Sequence, residues 1–199
     1  MPTGYPALHE RVLSPLELAA LRPVRQRLLS RAHGVVVEIG GGIGENISFY
    51  SAEAVTGVTI VAPDPWTIPV LERRVRDARV KVSIEADLAP LVPGTIDTVV
   101  STFVLCSLPD RDRLLHTIRE ALHEDGRLLF VEHRPTRLAR SVVGELAAPL
   151  WRAATTGCDL RSDPLAAIRA AGFVIRDVER FTMHTFQLPI RLCVAGVAR

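Results

Sequence analysis

The sequence predicts a three-layer α/β fold: a mostly parallel sheet covered by helices on both faces. Three observations carry this. Short apolar runs rich in Val and Ile alternate with stretches of helical spacing, the pattern of strands buried on both faces. The first run ends in a glycine turn, Gly40-Gly41-Gly42-Ile43-Gly44, where open parallel sheets receive ligands. The last two runs have no helix between them, so they are expected to pair antiparallel at one edge.

Taken in order, Ser14–Ala32 has helical spacing through Leu21, Val24, Leu28 and Leu29, with Ser14 as N-cap and Pro15 at the first helical position. Val35–Ile39 reads as a buried strand, and Gly44–Ser51 is expected to open a helix. Gly57–Val61 is β-branched and reads as the second strand, closed by Pro63-Asp64-Pro65. A helix is expected over Ile68–Ala78, a third strand over Val80–Ile84 and a fourth over Ile96–Ser101. Pro109-Asp110 starts a helix running to Leu122, and Asp125-Gly126 turns the chain into a fifth strand, Arg127–Glu132. Thr136–Thr156 reads as a less regular, partly helical insertion. Asp163-Pro164 caps a helix through Ala170, and Phe173–Arg180 and Arg191–Ala198 are the last strands.

The whole chain sets limits on function. Its 199 residues, 48% hydrophobic and 23% charged, suit one globular domain, with residues 1–32 as an N-terminal helical extension and 136–156 as the insertion. No apolar run approaches ~18 residues, and Met1–Glu10 lacks the basic and apolar regions of a signal peptide. A cytoplasmic protein without a membrane span is therefore expected. The net charge is +2, Lys81 is the only lysine, and the arginines form no concentrated stripe, which speaks against nucleic acid as partner. Cys106, Cys158 and Cys193 lie far apart with no C-x-x-C, so neither a disulfide framework nor a zinc or other metal site is expected.

Two ligands compete for the glycine turn. A dinucleotide wants G-x-G-x-x-G/A with a small third residue; counted from Gly40 and Gly42, that place holds Glu45. Pyrophosphate would sit at a helix N-terminus, and Glu38 and Glu45 flank that place and repel an anion. A sulfonium ligand that carries an ammonium group and no phosphate fits better: S-adenosylmethionine, leaving S-adenosylhomocysteine as product.

These residues and those after them resemble the class I S-adenosylmethionine-dependent methyltransferases, from about Leu8 to the C-terminus. Asp97–Asp110 (DTVVSTFVLCSLPD), Asp125–His133 (DGRLLFVEH) and Thr156–Leu160 (TGCDL) are similar to the ubiquinone/menaquinone-type and methyltransferase-like 7 branches. The segments around Cys106 and Cys158 resemble most the methyltransferase-like 7 thiol methyltransferases. The resemblance implies a Rossmann-like seven-stranded sheet of order 3-2-1-4-5-7-6 with strand seven antiparallel. It implies that Glu38 and the backbone of Gly40 and Gly42 face the methionine part of the cofactor, with Gly44 also in the cofactor-binding turn and Thr102 just past strand four. It places Glu85 and Ala86 at adenine. The family's ribose-binding carboxylate at the end of strand two is replaced by Ala62, leaving Asp64 as the nearby substitute. Losing a charged acceptor there costs about 1.5–3 kcal/mol, which motivates a second reading: a scaffold that kept the fold and lost the activity, or non-methylating chemistry.

No catalytic constellation stands out, as expected when the protein's task is to align two reactants and exclude water. His133, at the end of strand five, is the candidate base. Cys106, Cys158 and Asp159 are candidates to line the acceptor pocket, and Arg134, Arg137 and Arg140 to attract an anionic acceptor. Val142, Val143, Leu146, Leu150 and Trp151 give the insertion an apolar face suited to covering a small lipophilic acceptor, while Tyr5–Leu21 is expected to close over the cofactor. A monomer or homodimer is expected.

Overall fold

The computed structural model describes residues 14–62, 65–89, 91–154, 157–159, 161–183 and 192–199, with side chains omitted for 14–20 and 153–154. Its elements are α1 (Ser14–Leu29), β1 (Gly34–Ile39), β2 (Val55–Val61), α2 (Ile68–Arg76), β3 (Val82–Glu85), β4 (Ile96–Thr102), α3 (Arg111–Ala121), β5 (Leu122–His133), α4 (Val142–Ala154), α5 (Pro164–Ala170), β6 (Ile175–Thr182) and β7 (Leu192–Ala198). The strands form one sheet in the order β3-β2-β1-β4-β5-β7-β6. Strands β1 to β5 are parallel, and β7 runs antiparallel to both β5 and β6. The predicted sheet, including its antiparallel edge pair, is thus observed.

Val36, Val37 and Ile39 of β1, and Val99 and Val100 of β4, are buried because helices cover both faces of the sheet. On one face α1 and α2 pack Leu21, Leu28 and Leu71 against Val36, Ile60 and Leu129. On the other, α3 and α5 pack Leu115, Ile118 and Ile168 against Val37, Val99 and Phe130. Asp163 caps α5 by accepting from Ala166 N at 3.1 Å, as its Asp-Pro start predicts.

Three elements depart from expectation. Gly44–Ser51 does not open an α-helix; the chain makes turns and a single 3₁₀ turn, Ile47–Phe49. Asn, Ser, β-branched Ile and aromatic residues are weak helix formers, and Asn46 and Tyr50 spend their side chains on Glu38. Strand five begins at Leu122, not Arg127; Ile96 pairs with Leu122 and Thr98 with Arg127, so Asp125-Gly126 lies inside the strand, in a bulged register. The insertion is more regular than its sequence suggests, because Ser141 Oγ accepts from Gly144 N at 3.3 Å and launches a 13-residue helix that tolerates Pro149. Among the described residues no helix is long and apolar enough to cross a membrane.

Candidate active site

The C-terminal ends of β1 and β4 lie side by side, and β1 leads directly into the glycine turn. Gly40, Gly42 and Gly44 have φ of +64°, +54° and +80°, the left-handed region open to glycine at little cost. At Gly42 an added Cβ would find its nearest neighbour, Gly40 O, at 4.0 Å, so the turn presents bare backbone to open space. At Gly44 it would meet Leu71 Cδ1 at 2.7 Å and Ile47 Cδ1 at 2.8 Å. Gly44 therefore serves close packing beneath the turn, and it does not line the cleft that Gly40 lines.

Under the turn lies a network that spacing did not reveal. Glu38 is 2% exposed. Its Oε2 accepts from Tyr50 Oη at 2.5 Å and its Oε1 from Asn46 Nδ2 at 3.0 Å. The same Asn46 amide donates to Thr102 Oγ1 at 3.1 Å, tying β1 to β4. Burial raises the Glu38 pKa to about 7 against the opposing bonds from Tyr50 and Asn46. Asn46 Oδ1 is buried with no partner among the described residues, a spare acceptor below the turn. Glu45 is paired with Arg25 of α1 at 2.8 Å. The repulsion expected from Glu38 and Glu45 is thus smaller than their formal charges suggest. What disfavours pyrophosphate here is the absence of an α-helix N-terminus after the turn.

A second network shapes the loop after β4. Glu132, fully buried at the end of β5, accepts through Oε1 from Ser101 Oγ at 2.9 Å, Leu105 N at 3.1 Å and Val104 N at 3.2 Å. Burial raises its pKa to about 7, opposed by those bonds. The loop so held contains Phe103, the only non-glycine residue with positive φ (+57°) among those described, a strained conformation of the kind that gathers at functional sites. Phe103 stacks on His133 with centroids 4.2 Å apart and planes at 19°. His133 Nδ1 also lies 3.7 Å from Cys193 Sγ.

Between the turn and this loop opens a cavity of about 540 Å³, lined by Ile39, Gly40, Val61, Ala86, Val104 and Leu108 among others. Gly40 and Ala86 are thus brought to one cavity, while Glu38 and Thr102, absent from its lining, meet through Asn46. Glu85 is exposed at the end of β3, where its carbonyl accepts from Ala62 N at 2.9 Å. Ala62 itself is buried in the core. Asp64 and Tyr5–Leu13 lie outside the described residues. Arg137 is exposed, and Arg140 is paired with Asp163 at 3.2 Å. Asn46, Tyr50, Phe103 and Glu132 were missed by sequence reasoning. Only Glu132, a carboxylate ending an apolar strand, left a readable signal.

Strand order and an antiparallel seventh strand, with the glycine turn at the switch between β1 and β4, define the class I S-adenosylmethionine-dependent methyltransferase architecture. Residues 14–177 match the family model described as a methyltransferase domain, and the chain belongs to that family. It is 27% identical to human thiol S-methyltransferase TMT1B, over 94% of this chain and 82% of that protein. With human thiol S-methyltransferase TMT1A it shares 27% identity over 69% of this chain and 59% of the relative. Its fold matches an S-adenosylmethionine-dependent methyltransferase from Mesorhizobium loti at a TM-score of 0.66 and 18% identity, over 92% and 99% of the two chains. The cofactor named in that neighbour's description is S-adenosylmethionine. The site accepts it on its own chemistry: bare backbone at Gly42 leaves room for a ligand, and the spare acceptor of Asn46 suits a ligand rich in donors and free of phosphate.

Proposed function

We propose that this methyltransferase acts on a small lipophilic thiol. The observation that carries this is the course of the insertion. The chain leaves β5 at His133, forms α4, and returns to the β4 loop, where Asp159 N donates to Cys106 O at 2.7 Å. Val142, Val143, Leu146 and Leu150 of α4 are 65–77% exposed. An apolar face left unburied beside the ligand-bearing edge is a cover for an apolar acceptor. The relatives named as thiol S-methyltransferases support sulfur as the methylated atom; hydroxyl and carbon acceptors are the competing classes.

In this reading Gly40, Gly42 and Thr102 hold the methionine part, Glu85 and Ala86 the adenine, and Asp64 the ribose, with Gly44 setting the turn. Glu38 acts from below by fixing Asn46 and Tyr50. The bound cofactor supplies an electrophilic methyl group. The chain aligns the acceptor, excludes water with α4 and residues 5–21, and offers His133 as proton acceptor for a thiol. One catalytic domain over residues 1–199, working in the cytoplasm as monomer or homodimer without nucleic acid, completes the proposal.

The test is calorimetric titration with S-adenosylhomocysteine, followed by methyl transfer to a panel of alkyl thiols, phenols and quinones. Methylated thiol as the dominant product is expected. Transfer confined to phenols or quinones would overturn the choice of sulfur. Binding without transfer to any of them would overturn the acceptor class.

A further inference from the structure

Cys106 and Cys158 are 52 positions apart in sequence, yet the fold places them together. Cys106 lies in the loop after β4 and Cys158 in the segment that returns from α4. Asp159 N donates to Cys106 O at 2.7 Å, and a Cβ added at Gly157 would lie 3.2 Å from Ser107 O. The two backbones therefore run against each other on both sides of Cys158, and each thiol is the largest influence on the other's proton affinity. Both are buried, at 4% and 7% exposure.

We propose that Cys106 and Cys158 form a redox modification site, closed to an intramolecular disulfide by a hydroperoxide. The contact between thiols divides the labour. The Cys106 thiol beside it holds the Cys158 thiol below the usual value, against the effect of burial. Cys106, beside Cys158 in a buried place, is pushed up. Cys158, the more readily ionised of the two, is the sulfur assigned to attack peroxide in its thiolate form. Its sulfur takes one peroxide oxygen as a sulfenic acid, and hydroxide leaves. Cys106 sulfur then attacks that sulfur, its proton leaving with the hydroxyl group as water. Overall, two thiols and one hydrogen peroxide give one disulfide and two waters; both sulfurs are oxidised and both peroxide oxygens reduced.

The bond would join the C-terminal side of α4 to the β4 loop and fix the cover over the cavity. Its effect on turnover rests on the acceptor reading above; the bond itself does not. The test treats the full-length protein with hydrogen peroxide, alkylates it under denaturing conditions and maps peptides without reduction. The expected results are a mass lower by about 2 Da, a fall in alkylated cysteines from three to one, and a linked pair of peptides containing Cys106 and Cys158. The bond should vanish in Cys158→Ser and Cys106→Ser and persist in Cys193→Ser. Turnover of an alkyl thiol should fall several-fold on oxidation and return with a phosphine reductant, used because a thiol reductant is itself a possible acceptor. Three alkylated cysteines after peroxide treatment, or a bond that involves Cys193, would overturn the site. A formed bond with no methylation in either redox state keeps the site and overturns the function proposed above.

Discussion

Burial and hydrogen bonding act against each other at Glu38 and at Glu132, and in both burial dominates. Each carboxyl titrates near 7 in the folded chain and in the ordinary range near 4.5 when unfolded. The folded state therefore binds more protons between those values, so stability contributed by these groups falls as pH rises from about 4.5 to about 7 and is level above. Urea unfolding at pH 5.5 and 7.5 should show this slope, with Glu38→Gln flatter than the parent; an unchanged slope in the variant would remove Glu38 as a source. The glycines divide in the same way by surroundings. Gly42→Ala should cost only about 1–2 kcal/mol, from its positive φ, and should weaken S-adenosylhomocysteine binding, since its Cβ points into open space. Gly44→Ala should destabilise by about 1–3 kcal/mol through overlap with Leu71 and Ile47. Calorimetric titration and urea unfolding separate the two outcomes. The sequence made the glycines and Glu38 conspicuous, because a run of glycines and a carboxylate in an apolar strand are both unusual. It could not show that Glu38 turns inward, since its partners Asn46 and Tyr50 are set by a turn without a regular period.

Among the elements, α5 was legible because apolar periodicity, proline at the start and an Asp cap agreed with one another, and α2 and α3 because their apolar residues recur at helical spacing. The 3₁₀ turn after Gly44 and the early start of β5 were not, since both depend on tertiary bonds that override local preference. At α4 the pattern of exposure leads to a prediction about the whole helix. Leu146 and Leu150 are 75% and 77% exposed, so replacing both by Glu should change folding stability by no more than about 0.5 kcal/mol per site. If the helix covers the acceptor, the same double variant should raise KM for a lipophilic thiol while the S-adenosylhomocysteine affinity stays unchanged. An unaltered KM would remove α4 from the acceptor pocket.

Across the whole molecule, sheet class followed from the apolar strands and the missing helix before the last one, whereas strand order came from resemblance alone. Register was not legible: the pairing of Glu38 with Val100, or of Ser101 with Phe130, depends on how the helices pack. A ligand that binds only the folded sheet stabilises all of it, so S-adenosylhomocysteine at about a hundred times its Kd should add about 2.7 kcal/mol. In differential scanning calorimetry this is a rise in Tm of roughly 5–11 °C for a chain of this size; no rise would contradict the assigned cofactor. The Arg25–Glu45 pair reaches across the same scale, joining α1 to the glycine turn with both side chains nearly buried. Removing either partner leaves the other charge stranded away from water, a loss of several kcal/mol. Selection therefore sees the two positions as one unit. In diverging lineages they should covary, a neutral residue at 45 arriving with the loss of arginine at 25, and a change at one alone should be rare.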